Sequence, residues 1–216
     1  MVSIPTQFPN LNPISILMAI PGVIIAVTLH EYTKSLVAYK LGDTNIKAQG
    51  RLAPNPLKHI DILGGIFLIV FGYGWANPVR LTPFSFKDRK KAMLFIFVMP
   101  FLVNIIVGAV FAIMASVFAI NSLYLPDTFS FEAILTVHGI LTLTAISNIS
   151  FALFSLIPIY PLNGIHLLGA IKPVWAVKLS QYQNILQLVM AFFIILGFAA
   201  QVFHPIVLRM IWALSF

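Results

Sequence analysis

Residues 14–39 read ISILMAIPGVIIAVTLHEYTKSLVAY. This stretch is longer than the roughly 20 residues that a helix needs to cross a bilayer, so it predicts a membrane-spanning helix. Three ionisable residues, His30, Glu31 and Lys34, lie in its second half. Ionisable side chains are costly inside a membrane, and we therefore treat these three as candidates for function.

The composition of the whole chain is that of a membrane protein. Of its 216 residues, 60% are hydrophobic and 9% are charged, and the mean hydropathy is +0.98. Soluble domains carry about 25% charged residues, and disordered chains combine low hydrophobicity with high charge. An ordinary soluble enzyme and a disordered chain are both excluded. The chain has no cysteine, which excludes disulfides and thiolate metal sites.

Further apolar runs at 92–120, 133–158 and 185–202 predict three more spanning helices. The run at 62–76 is short and contains four glycines, which is typical of a re-entrant or interfacial segment. Nine of the 13 basic residues lie between 40 and 91, on both sides of that run. If the run crossed the bilayer, these basic loops would lie on opposite sides, against the positive-inside rule.

These features predict an all-α polytopic protein of the cytoplasmic membrane, with about four spanning helices and one re-entrant or interfacial segment. We expect a single membrane domain over 1–216, with a core at about 14–167 and a C-terminal helix and interfacial tail at 183–216. The net charge of +7 marks cytoplasmic loops and does not indicate a nucleic-acid partner. The charged run at 87–91 is interpreted as a topology anchor rather than as a lipid headgroup site.

The sequence from His30 to Lys34 has the form of an incomplete zinc motif. Residues i and i+4 of a helix share a face, so His30 and Lys34 project together. A zinc hydrolase carries His-Glu-x-x-His here, in which both histidines bind the metal and the glutamate acts as general base. A lysine stands at the second ligand position.

Four sequence blocks resemble the site-2 protease family, which are zinc metalloproteases that cut within membranes. They are TLHEYTKSLVAYKLGD (28–43), QGRLAPNPLKHIDILG (49–64), GWANPVRL (74–81) and NISFALFSLIPIYPLNG (148–164). The chain resembles the short members of that family, which lack a PDZ domain. The resemblance implies a helical core that receives a transmembrane segment of a substrate.

The departures from the family pattern fall on the catalytic set. The family has histidine at the position of Lys34 and the third ligand, an aspartate, at the position of Asn163. Ser155 stands where the family has asparagine, and Ile165-His166 stands where it has Gly-Arg. The resemblance therefore leaves His30 as a single zinc ligand and Glu31 as a vestigial general base, with His166 as a possible substitute ligand.

An ammonium group has no lone pair, so protonated Lys34 would repel Zn²⁺, and the Asn163 amide is a weaker zinc ligand than a carboxylate. Two alternatives remain for Lys34. In the first, its ammonium replaces the charge of the missing metal, pairs with Glu31 and is hydrogen-bonded to the Asn163 carbonyl. In the second, Lys34 snorkels to the interface.

The sequence therefore predicts a site-2-protease-like pseudoprotease of the lipid bilayer with no cofactor. Its expected partners are transmembrane helices of client proteins or an active homologue. By resemblance, Gly64, Gly65, Gly74 and Trp75 are expected to contact the client. One alternative is an active intramembrane zinc metalloprotease with an altered ligand set, and another is a carrier that uses Glu31 and Lys34 as a relay.

Overall fold

A computed structural model describes residues 13–124 and 130–214 of the chain. Residues 1–12, 125–129 and 215–216 of the predicted domain lie outside this description. In the described ranges the chain forms α1 (Pro13–Lys40), α2 (Asn45–Ala48), α3 (Pro56–His59), α4 (Ile62–Phe71), α5 (Arg89–Asn121), α6 (Phe131–Phe154), α7 (Gly164–Ile171), α8 (Pro173–Gln181), α9 (Gln183–Ile195) and α10 (Phe198–Leu214). Short 3₁₀ turns cover Pro83–Ser85 and Ser122–Tyr124.

Three helices, α1, α5 and α6, are long and apolar enough to cross a membrane, and α9 with α10 could form a fourth, bent span. The predicted all-α polytopic fold is confirmed. The lipid bilayer is accordingly the environment of the chain.

Small residues allow the three long helices to approach closely. A Cβ atom on Gly22 of α1 would lie 2.6 Å from the Cα atom of Thr144 in α6, and one on Gly108 of α5 would lie 2.5 Å from the Ile149 side chain of α6. Asn104 of α5 donates a hydrogen bond of 3.1 Å to the carbonyl of Ala26 in α1. Close backbone approach and interhelical hydrogen bonds are the usual sources of helix association in lipid.

The run predicted to be re-entrant or interfacial forms a hairpin, which we define as residues 60–77. Asp61 caps the start of α4 by accepting the backbone N–H of Gly64 at 2.8 Å, and Gly72 ends the helix with a φ of +77°. The chain then returns to its starting point, where Asn77 donates its backbone N–H to the carbonyl of His59 at 2.9 Å. Because both ends of the hairpin meet, α4 does not carry the chain across the bilayer.

Two glycines bring the arms of the hairpin together. A Cβ atom on Gly64 would lie 2.1 Å from the carbonyl oxygen of Trp75, and one on Gly74 would lie 2.2 Å from the carbonyl oxygen of Gly64. The returning arm is buried, since Tyr73 and Trp75 are each 1% exposed. It packs with residues of α9, α10 and the end of α6.

The C-terminal region differs from the prediction. The expected span at 185–202 is interrupted, because α9 and α10 meet at a bend of 66° where Gly197 has a φ of +78°. The expected tail forms part of α10, whose Val207 and Ile211 are buried in one cluster with Ile146 of α6, and its interfacial position stays a prediction. Burial against the bundle extends the helix past the predicted boundary.

The hairpin predicts that the loops before and after it lie on the same side of the membrane. Because the chain has no cysteine, Leu57→Cys and Ser85→Cys can be labelled singly with a membrane-impermeant maleimide. We expect both to react from the cytoplasmic side, and Glu132→Cys, in the first turn of α6, to react from the opposite side. Labelling of Leu57→Cys and Ser85→Cys from opposite sides would contradict the hairpin.

The close approach within the hairpin predicts that Gly64→Ala and Gly74→Ala are destabilising. Each added Cβ atom meets backbone, so the arms must separate, and overpacking of this kind typically costs about 1–3 kcal/mol. Gly169→Ala is the matched control, because its Cβ atom would lie 3.9 Å from its nearest neighbour. Thermal unfolding in detergent measures the effect, and equal melting temperatures for the three variants would refute it.

Candidate functional site

The candidate site lies in the second half of α1. His30, Glu31 and Lys34 are 1%, 2% and 1% exposed. The Lys34 ammonium donates a hydrogen bond to Oε1 of Glu31, one helical turn away. The first alternative for Lys34, the ion pair with Glu31, is therefore the one that the structure contains. The snorkelling interpretation is wrong, because the side chain does not reach the surface.

The Glu31 carboxylate also binds the chain that leaves the hairpin. Its Oε2 atom accepts the backbone N–H of Val79 at 3.3 Å, and Val79 is itself buried. A buried carboxylate is tolerated when its charge is paired and its lone pairs are used. The ion pair therefore connects α1 to the segment after the hairpin.

Arg51 binds backbone carbonyls on both sides of the hairpin. Its guanidinium donates to the carbonyl of Lys58 and lies 3.2 Å from that of Asn77. Arg51 is 9% exposed, and burial lowers its pKa while the charge of Glu31 raises it. Sequence reasoning missed this role, although Arg51 lies within the second of the four blocks, and it could not identify the Val79 N–H because a backbone group leaves no signal in the sequence.

His30 is buried next to the ion pair and has unused hydrogen-bonding capacity. Neither of its ring nitrogens has a hydrogen-bond partner, and its ring packs edge-on against Phe151 at a centroid distance of 5.0 Å. His166 lies in the first turn of α7. Burial, followed by the Lys34 ammonium, lowers the pKa of His166, so its imidazole is neutral at neutral pH.

Asn163 is buried before the first turn of α7 and does not bind Lys34. Its Nδ2 atom donates to the carbonyl of Phe97 at 2.8 Å, and the carbonyl of Ile96 lies 3.5 Å away. Pro100 lacks the N–H that would normally bond to Ile96, so the α5 backbone is open to a side-chain donor here. The expected hydrogen bond between Lys34 and the Asn163 carbonyl is absent, because Oδ1 of Asn163 has no partner.

The residues at the three ligand positions do not fit a zinc ion. A catalytic zinc site uses three protein ligands and a water molecule, whereas this site supplies one imidazole, one amide and a paired ammonium. In the part of the chain that the structure describes, no group of three His, Cys, Asp or Glu side chains could hold a metal. The unpartnered nitrogens of His30 and Oδ1 of Asn163 are the donor atoms that remain.

The four predicted client-contact residues, Gly64, Gly65, Gly74 and Trp75, are all buried in the hairpin. Gly64 and Gly74 are explained by the close approach of its arms, whereas a Cβ atom on Gly65 would lie 3.1 Å from the Ile60 side chain. Trp75 reaches a cavity of about 240 Å³ between the hairpin and α9, which Leu63 and Leu188 also line. Client contact by these residues remains a prediction, and it would take place at this cavity or at the exposed face of α4.

The chain is similar to a curated protein of Bacillus subtilis (strain 168), "Putative zinc metalloprotease YwhC". The two are 29% identical over 151 residues, which cover 70% of this chain and 67% of the relative. No family model matches the chain, and no solved structure matches it. Together with its helices, this similarity makes the chain a metalloprotease-like multi-pass membrane protein.

The buried ion pair predicts a large effect of removing one partner. Lys34→Met leaves the Glu31 carboxylate buried without its counter-charge, and such changes typically cost about 3–5 kcal/mol. We expect the double variant Glu31→Gln/Lys34→Met to recover most of that loss, because it buries no net charge. Unfolding in detergent measures both.

The control for this prediction is Lys40→Met on the same helix, because Lys40 is exposed at its end. We expect this control to unfold like the wild type. A Lys34→Met variant as stable as the control would mean that the pair does not stabilise the fold.

Proposed function

We propose that this chain is a site-2-protease-like pseudoprotease of the cytoplasmic membrane that binds membrane-embedded segments of client proteins. The observation that carries this proposal is the Lys34 ammonium, buried against Glu31 at the position where the resembling family has a zinc-binding histidine. A fixed cation there takes the place of the metal and of its ligand together.

The proposal rests first on electrostatics. Without a divalent cation, a buried Glu31 carboxylate would be uncompensated, and its desolvation would cost several kcal/mol. Lys34 supplies the opposite charge from within the same helix, and Val79 supplies a hydrogen bond. Glu31 is thereby occupied as a structural anion, which is a different role from that of a general base, whose acceptor atom must be free to take a proton from water.

The second support is the chemistry of the remaining donors. The amide of Asn163 is engaged by the α5 backbone and offers a neutral oxygen only. His166 would need to join His30 for a second imidazole ligand, and two imidazoles with one amide are still weaker than the usual ligand sets of catalytic zinc. Loss of two of three ligands removes the metal that would activate a water molecule.

Binding of a client is supported by the surface next to the hairpin. Ile62, Leu63 and Ile66 of α4 are 82%, 53% and 51% exposed. Leu63 also lines the cavity that lies between Trp75 and α9. An apolar transmembrane segment of another protein, or of an active homologue, fits such a surface through van der Waals packing. A protein that retains this surface without a metal would sequester or escort its client rather than cut it.

The alternative is an active intramembrane zinc metalloprotease with an altered ligand set. One observation favours it: His30 and Oδ1 of Asn163 are buried with unpartnered donor atoms, which a metal ion would satisfy. The name of the relative from Bacillus subtilis also points this way. This alternative requires Lys34 to leave Glu31 or to lose its proton, which needs a large desolvation shift.

Zinc content and restored ligands decide between the two functions. We expect purified wild-type protein to hold substoichiometric zinc by elemental analysis and to leave a transmembrane peptide uncut. The double variant Lys34→His/Asn163→Asp restores the family's ligand set, so we expect about one zinc ion per chain and cleavage of the peptide.

Glu31→Gln in the background of the double variant is the matched control, because it removes the general base and keeps the three ligands. We expect it to bind zinc without cleaving. Stoichiometric zinc and cleavage in the wild-type protein would establish the alternative function and overturn the pseudoprotease.

A further inference from the structure

A second cavity, of about 450 Å³, lies where α1 ends and α5 begins. Its lining residues come from the end of α1, the turn that follows and the start of α5. Among them are Lys40, Phe86, Lys87, Asp88, Lys91 and Phe95. Both helices are candidate membrane spans, so the cavity opens at the level where they leave the bilayer.

The rim of this cavity is cationic. Lys40, Lys87 and Lys91 are all exposed, and three lysines against one aspartate leave a net charge of +2. Asp88 is committed to the helix start, because its Oδ1 atom accepts the backbone N–H of Lys91 at 3.0 Å. Its Oδ2 atom lies 3.4 Å from the Lys91 ammonium, so Asp88 partly neutralises Lys91. No other carboxylate among the described residues lines the cavity to neutralise Lys40 or Lys87.

The inner wall of the cavity is apolar. Phe86 and Ala92 are 7% and 3% exposed and form its floor. Phe95 lies one turn further into the span than Lys91, on the same face of α5, and is 46% exposed. The cavity thus has ammonium groups on its water side and an aromatic surface on its bilayer side. A phospholipid has the matching arrangement, with its phosphate toward water and its acyl chains toward the bilayer.

We propose that this cavity binds an anionic phospholipid, with the phosphate between Lys40, Lys87 and Lys91 and the start of an acyl chain against Phe95. Basic pockets between spanning helices on the cytoplasmic side are suited to such headgroups. A free phosphate ion would use the lysines alone and would gain nothing from the apolar wall. The run at 87–91 then acts as a lipid headgroup site as well as a topology anchor.

The lipid proposal is tested on the full chain, purified in a neutral detergent and titrated with phosphatidylglycerol and, separately, with zwitterionic phosphatidylcholine. Native mass spectrometry counts the bound lipid. We expect phosphatidylglycerol to bind at least tenfold more tightly than phosphatidylcholine. A lysine near an anionic headgroup contributes roughly a fivefold factor in affinity, so Lys40→Gln/Lys87→Gln/Lys91→Gln should remove most of this preference.

The matched control is Lys47→Gln/Lys90→Gln/Lys172→Gln, which removes the same charge from exposed lysines that do not line the cavity. We expect it to keep the preference for phosphatidylglycerol. Equal losses in both triple variants would mean that overall charge attracts the lipid, and no loss in either would mean that the lipid binds elsewhere. Both results overturn the proposal.

Two further measurements distinguish binding of a lipid from binding of a free anion, and loss of lipid binding from a folding defect. Inorganic phosphate at the same concentration should not displace phosphatidylglycerol; if it competes equally well, the ligand is a free anion and the proposal fails. The single change Lys87→Glu, before the first turn of α5, should lower the affinity at an unchanged melting temperature. An unchanged affinity in this variant would also contradict the proposal.

Discussion

The pairing of two opposite charges inside one turn of α1 is the constraint on which the rest of the site depends. Glu31 and Lys34 are both removed from solvent, and neither could remain charged there alone. Helical spacing places them in contact without help from another element. The second oxygen of the carboxylate is then available to the backbone of Val79, and this contact fixes where the chain runs after the hairpin.

The hairpin positions the backbone N–H of Val79 next to Glu31. Gly64 and Gly74 let its arms meet, so the returning chain leaves next to the point where it entered. Arg51 then holds the carbonyls on both sides of the junction. Each of these contacts is local and modest, but together they place the Val79 N–H where a buried carboxylate needs a donor.

The sequence predicts those features that follow from length and hydropathy, and it misses those that depend on a distant partner. The helices α1, α5 and α6 are evident from their apolar runs, and the hairpin from a run too short to cross the bilayer. The bend at Gly197 does not follow from the sequence, because the apolar run at 185–202 continues through it. The path of α10 depends on its packing against the bundle, including α6. The orientation of Asn163 depends on its hydrogen bond to the carbonyl of Phe97, 66 residues earlier in the chain.

The hydrogen bonds of Asn163 and Glu31 explain how the helices stay packed together after the proposed loss of a metal. A metal held at the positions of His30, Lys34 and Asn163 would join α1 to the turn before α7. The ion pair cannot do this, because both of its members belong to α1. Asn163 instead binds the backbone of α5 at Phe97, and Glu31 binds that of Val79. Two separate hydrogen bonds thus hold the elements that a single ion would cross-link, and the ring nitrogens of His30 have no partner.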